Sequence, residues 1–240
     1  MDMIELNYIT FAGKSSREYG IRIEKSGVWE AAERDFETQE IPGKNGELTI
    51  DNGRYKNVTL TYQCSIGRGF PSKMNNLFQW LMSNTGYHRL EDSDQLDYYR
   101  MARVAEAPSP DLYSKLIGGK FDITFDCKPQ RWLKSGEKEM ILQTSNQIYN
   151  PTLYPSYPIF EITGNGNLVI GSKTITIANN PGTLILDCEL GDAYSKDAHT
   201  NYNRYVTETD LELTTLSPGV NNITKPAAMT VKITPRWWTI

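Results

Sequence analysis

Chemistry on a protein scaffold needs particular residue types at particular spacings, and this chain of 240 residues offers few. It has two histidines, His88 and His199, too few and too far apart for a metal centre built on imidazole. No GxSxG, HExxH or P-loop pattern occurs. The carboxylates Glu91, Asp92, Asp94 and Asp97 invite a calcium reading, but an EF-hand loop wants glycine at its sixth position and glutamate at its twelfth. Asp97 and Arg103 stand there instead, so the cluster reads as a solvated hairpin tip. Gly164-Asn165-Gly166 begins like a dinucleotide fingerprint. Val169 replaces its third glycine and no helix follows, so it reads as a turn. The remaining acids show no spacing that separates a general acid from a base. Catalytic residues, cofactor-binding residues and metal ligands are all read as none, and a carboxylate hydrolase is the least supported class.

Three cysteines, Cys64, Cys127 and Cys188, are odd in number and widely spaced. Each ends or follows an apolar alternation, which predicts buried, reduced thiols. Asn57-Val58-Thr59 and Asn222-Ile223-Thr224 match the glycosylation pattern by chance, because MDMIELNYITF has neither a basic nor an apolar signal region. No stretch approaches the ~18 apolar residues of a membrane span, so the expected site of synthesis is a cytosol. The net charge of −4, with no basic stripe, gives nucleic acid nothing to bind. Aromatics make up 11% of the chain. Tyr149, Tyr154 and Tyr157 lie among prolines, while Tyr194, Tyr202 and Tyr205 are the clustered exposed candidates for stacking on a sugar. Alternation puts the Trp237 and Trp238 rings on opposite faces of a strand, one in the core and one toward a second domain or subunit.

The elements that must position these residues are mostly strands. From Ile41 to Cys64 run three turn signals, Pro42-Gly43, Asn45-Gly46 and Asp51-Asn52-Gly53, the kind that supply positive φ for hairpins. Leu48 and Ile50 alternate with polar residues, as do Val58, Leu60, Tyr62 and Cys64. This is a hairpin-rich arm, too polar to form a core by itself. Residues 3–13, 19–24 and 36–64 read as strands and turns. One helix follows: Pro71-Ser72 opens it, Met74, Leu77, Phe78 and Leu81 fall on one face, and Gly86 sits where a C-terminal cap is expected. Residues 87–104 read as strand, acidic turn, strand, and GGKFDITFDC as a strand with Phe121, Ile123 and Phe125 on one face.

Periodicity breaks between Lys128 and Lys138. Beyond it EMILQ, YPIFEITG, NLVIGS, KTITIA, GTLILDCEL, DLELTTL and MTVKITPRWW are short strands separated by Gly, Asn, Ser and Pro clusters. That pattern predicts a sandwich or jelly roll.

In this order the segments resemble the distal tail (Dit) proteins of long-tailed phages with non-contractile tails, and of related prophages. The resemblance is carried by FAGKSSREYGIRI, IPGKNGELTIDNGRYKN, LFQWLMSNTGYHRLEDSDQLDYYRMARV, GKFDITFDCKP, PIFEITGNGNLVIG, TLILDCELGDAY, LSPGVNNI and VKITPRWW. It implies a mainly β fold. An N-terminal α+β belt domain, a β-sandwich with one helix and extended hairpin arms, covers residues 1–131. A linker of residues 132–138 leads to a galectin-like β-sandwich at 139–240. It also implies a non-enzymatic adaptor: a homo-hexameric ring at the virion tail tip, assembled in the host cytoplasm. The ring would have the tail tube protein on one side and a tail-associated fibre or lysin-like protein, with receptor-binding proteins, on the other. No cofactor, nucleic-acid specificity or membrane insertion is implied. The arm residues Gly43, Lys44, Asn45, Gly46, Asp51, Gly53 and Arg54 are the expected oligomer interface. A carbohydrate-binding module for the host wall is the alternative. The galectin sugar motif is not visible, since His199 is followed by Thr200-Asn201-Tyr202.

Overall fold

The computed structural model describes residues 7–67, 70–114, 118–207 and 214–240. Met1–Leu6, part of the first expected strand, and residues 210–213 of DLELTTL lie outside them. The chain divides into two compact units, one reaching Arg131 and including Ile240, the other Trp132–Thr239.

The first unit contains β1 (Ile9–Phe11), β2 (Lys14–Ser15), β3 (Ile21–Lys25), β4 (Arg34–Glu40), β5 (Glu47–Tyr55), β6 (Val58–Ile66), α1 (Phe70–Ser83), β7 (His88–Asp92), β8 (Tyr98–Glu106), β9 (Asp111–Ser114) and β10 (Gly118–Leu133). Its main sheet runs β2-β1-β7-β8-β10-β6-β3, with β9 also on β10. Strict alternation builds it. Val58, Leu60, Tyr62, Cys64 and Ile66 of β6 are buried, and polar residues lie between them. They face Phe121, Ile123, Phe125 and Cys127 of β10 in antiparallel register, Phe121 opposite Cys64 and Phe125 opposite Leu60. One face of α1 closes this core with Met74, Leu77, Trp80 and Leu81. Phe78, expected on that face, is half-buried beside it. Trp80 stacks on Tyr19, ring centroids 4.6 Å apart, and donates from Nε1 to the Phe11 carbonyl at 3.0 Å. The helix ends before Gly86, whose φ is +79°. The last turn is closed instead by the Asn84 side chain, bonded to the Trp80 carbonyl at 2.6 Å.

The second unit contains β11 (Met140–Ile141), β12 (Ser145–Asn150), β13 (Ile159–Thr163), β14 (Gly166–Ile170), β15 (Lys173–Ile177), β16 (Thr183–Asp187), β17 (Asp192–Ser195), β18 (Val206–Thr207), β19 (Gly219–Thr224), β20 (Thr230–Thr234) and β21 (Trp238–Thr239). Two five-stranded antiparallel sheets, β11-β20-β13-β16-β17 and β12-β19-β14-β15-β18, carry its core. Phe160, Ile162, Leu184, Leu186, Val231 and Ile233 come from the first. Ile148, Leu168, Ile170, Ile175, Ile177 and Ile223 come from the second. This is a β-sandwich of two antiparallel sheets. β12, β17, β18 and β19 are strands that the apolar pattern did not announce, because their sequences are short and polar.

Where a loop-like break was expected after Lys128, β10 continues to Leu133 and a short 3-10 turn covers Lys134–Glu137. Among the described residues no helix is long and apolar enough to cross a membrane.

Candidate functional site

Between β3 and β6 the chain leaves the main sheet. β4 and β5 pair with each other and, among the described residues, with no other strand. Every residue of β5 from Glu47 to Arg54 is exposed, on both faces of the ribbon. Antiparallel register fixes what those faces carry. One presents Glu37 opposite Ile50 and Gln39 opposite Leu48. The other presents Phe36 opposite Asp51, Thr38 opposite Thr49 and Glu40 opposite Glu47. Phe36 (48%), Leu48 (47%), Ile50 (45%) and Ile41 (39%) are therefore large apolar side chains left in water. A two-stranded ribbon alone is marginal in water. A ribbon with apolar groups on both faces gains most from a partner.

The predicted interface residues all lie on this ribbon, at its two ends. At the tip the Lys44 amide donates to the Ile41 carbonyl at 3.1 Å, closing a turn around Pro42-Gly43. Gly43 (φ +80°) and Gly46 (φ +83°) hold the left-handed conformations that such turns require. Lys44 and Asn45 are exposed between them.

The root differs from expectation. Asp51-Asn52-Gly53 is not a hairpin turn. It lies inside β5, where the register shifts between Arg34, opposite Tyr55, and Phe36, opposite Asp51. The result is a bulge. Gly53 takes φ +72°, and its amide donates to Asp51 Oδ1 at 2.8 Å. Local signals for turn and bulge are the same, positive φ beside a short acid. Here the long-range pairing of Arg34 with Tyr55 decided between them.

Asp51 also takes the Arg34 fork, Nη2 to Oδ2 at 2.8 Å, while Arg54 Nε meets Asp35 Oδ2 at 2.7 Å. The Arg34 guanidinium, with help from the Gly53 amide, holds the Asp51 carboxyl below the usual carboxylate range. Arg54 does the same for Asp35. Asp51 and Arg54 thus brace the arm internally, whereas Gly43 to Gly46 are free to meet a neighbour. Sequence reasoning missed Phe36 and Ile41. Their signal was an isolated large apolar residue within the polar stretch Arg34–Lys44.

The other candidates disperse. The acidic hairpin is not uniformly solvated, because Asp92 is buried. It accepts from Ser26 Oγ at 2.7 Å and from the Asp94 amide at 2.7 Å. Burial pushes its carboxyl up. Glu91 pairs with Arg89, while Asp94 and Asp97 are exposed. Among the described residues no three His, Cys, Asp or Glu side chains are placed to hold a metal ion. Tyr194, Tyr202 and Tyr205 are half-buried rather than exposed. Tyr202 and Tyr205 pack edge to face at 5.0 Å against the sandwich core, so they form no flat stacking platform. Of the two tryptophans, Trp237 is the one in the core, and Trp238 stacks on Tyr154 of its own unit at 4.5 Å and donates to the Pro155 carbonyl.

No known family model and no curated protein matches the sequence. Solved structures do match. The Dit protein (gp 19.1) of phage SPP1, described as a paradigm of the hub adsorption apparatus in phages infecting Gram-positive bacteria, aligns with a TM-score of 0.74 at 12% identity. The alignment covers 98% of this chain and 100% of that one. This is the Dit fold. Chains of the phage P2 baseplate in its activated conformation share it at 9% identity. The calcium form has a TM-score of 0.52 over 96% of this chain and 98% of that one. The strontium form has 0.51 over 95% and 97%. Such identities carry the Dit fold rather than any single side chain.

Proposed function

We propose that this chain is a structural, non-enzymatic adaptor of a phage tail. It closes a hexameric ring at the distal end of the tail tube and joins the tube to the tail-tip fibre or baseplate proteins. The observation that carries the reading is the end-to-end match to SPP1 Dit, which leaves neither chain with an unmatched domain. The ribbon supplies a means. Its two outer edges offer unpaired backbone groups and both its faces carry apolar side chains. Laid on the next subunit, it makes a heterologous contact, and repetition of that contact closes a ring without free edges. The scarcity of histidine and the half-buried sandwich tyrosines count against hydrolysis and against sugar binding.

The test is assembly. Particle mass and images of the full chain, alone and with a tail tube protein, are expected to show six-fold rings. Replacing Asp35–Arg54 with Asn-Gly, a turn that reconnects the paired Arg34 and Tyr55, is expected to abolish rings and leave the melting of both cores unchanged. A chain that stays monomeric in both settings overturns the adaptor. A ring that survives the replacement overturns the role of the arm. Saturable heat on titrating the full chain with host wall polysaccharide would favour the carbohydrate-binding alternative.

A further inference from the structure

The first unit holds a small cavity of about 20 Å³, lined in part by Tyr62, Asp92, Tyr98, Arg100 and Arg131. Three buried polar atoms of these residues have no hydrogen-bond partner among the described residues: Tyr62 Oη, Arg100 Nε and Arg131 Nε. All three can donate, and a guanidinium Nε–H can only donate. Arg100 is 4% exposed, and its two terminal nitrogens reach only carbonyls, Nη1 to Pro129 at 2.9 Å and Nη2 to Glu30 at 3.0 Å. Arg131 uses its terminal nitrogens on Gln95 Oε1 and the Ile240 carbonyl, with the Tyr98 ring 5.2 Å from its guanidinium carbon. Neither guanidinium has a carboxylate bonded to it among the described residues. The two sit close enough to repel each other, and burial with that repulsion pulls Arg100 down to about 10.

A buried cation without a counter-ion is costly. The one carboxylate lining the cavity, Asp92, spends its oxygens on Ser26 and the Asp94 amide and draws the Tyr62 hydroxyl toward it. The missing component is an acceptor. The volume admits one water-sized or halide-sized species, since a single water needs roughly 10–15 Å³. It excludes sulfate, phosphate and organic ligands. We infer that this cavity binds one small monovalent anion of chloride size, held by Arg100 Nε and Arg131 Nε. Two positive charges against one carboxylate favour an anion over water. Arg100 also grips the Glu30 carbonyl just before β4, so an occupied site would firm the root of the arm.

Crystals of the full chain grown in bromide test the site directly at the bromine absorption edge. One anomalous peak between the two Nε atoms is expected. A cavity without a peak, occupied by water in both chloride and bromide, overturns the proposal, as do bromide ions at the surface only. In solution at constant ionic strength, the melting temperature is expected to be about 3 °C higher in chloride than in gluconate, with saturation. Arg131→Lys keeps the charge and loses the Nε donor, and is expected to abolish the difference. Equal melting of the parent chain in the two salts overturns the proposal.

Discussion

Cys64, Cys127 and Cys188 are buried thiols, each at 0–1% exposure. Desolvation pushes Cys64 and Cys127 up to about 12. Reaction needs the thiolate and access to it, and burial removes both. Native protein at pH 8 is therefore expected to label with a thiol reagent at least 100-fold more slowly than protein unfolded in guanidinium. Rapid uptake of reagent at all three sites in the native state would refute this. The cysteines were legible in the sequence because Cys64 and Cys127 sit at apolar positions of alternating strands and Cys188 directly follows β16. Asp92 was not. Its neighbours in sequence are polar, Glu91 and Ser93 half-buried and Asp94 exposed, and its burial depends on groups distant in sequence such as Ser26, 66 residues away.

Among the elements, β10 shows how one residue sets a junction. Gly118 has φ +130°, at the shift of register between β9 and β10. A Cβ added there would stand 2.0 Å from the Ile66 carbonyl oxygen. Neither the backbone angle nor the space admits another residue. Gly118→Ala is expected to destabilise the first unit by about 3 kcal/mol, read as a lowered denaturation midpoint with an unchanged slope. A change below 0.5 kcal/mol would mean that the junction relaxes freely. The helix, β6 and the apolar strands of the sandwich were readable because their periods of 3.6 and 2 persist over several residues. The polar strands β12 and β19 were not, although they pair along their whole length from Ser145 opposite Thr224 to Asn150 opposite Gly219. Their stability comes from that partner, which no local window contains.

Across the whole molecule the acid response has a definite sign. Asp51 beside Arg34, Asp35 beside Arg54 and Glu161 beside Lys196 are all held below their ordinary values. Such groups bind fewer protons folded than unfolded. Their contribution is complete above about pH 4.5 and is lost as pH falls through the folded values. Asp92, pushed up by burial, runs the other way and offsets part of the loss as it protonates. Melting temperature is expected to be nearly flat from pH 7 to 5 and to drop below pH 4, and ring assembly to weaken over the same interval as the ion pairs at the root of the arm open. Calorimetry and particle mass at pH 7, 5 and 3.5 check both. Rings that persist unchanged at pH 3.5 would separate assembly from those pairs.

By itself the sequence determined the class of the molecule. Regular alternation in β6 and β10, the single helical face of Met74, Leu77 and Leu81, and the turn-punctuated second half specify a β protein with one helix. The succession of segments already resembled the Dit family. These are local or order-based properties, and each is present wherever the chain is read. Only the tertiary structure decided that Asp51-Asn52-Gly53 is a bulge, that Trp238 stacks on Tyr154, and that Arg100 and Arg131 share a cavity with, among the described residues, no carboxylate bonded to either. Each depends on which distant backbone or side chain arrives opposite. Pairing and burial, rather than residue type, set that outcome.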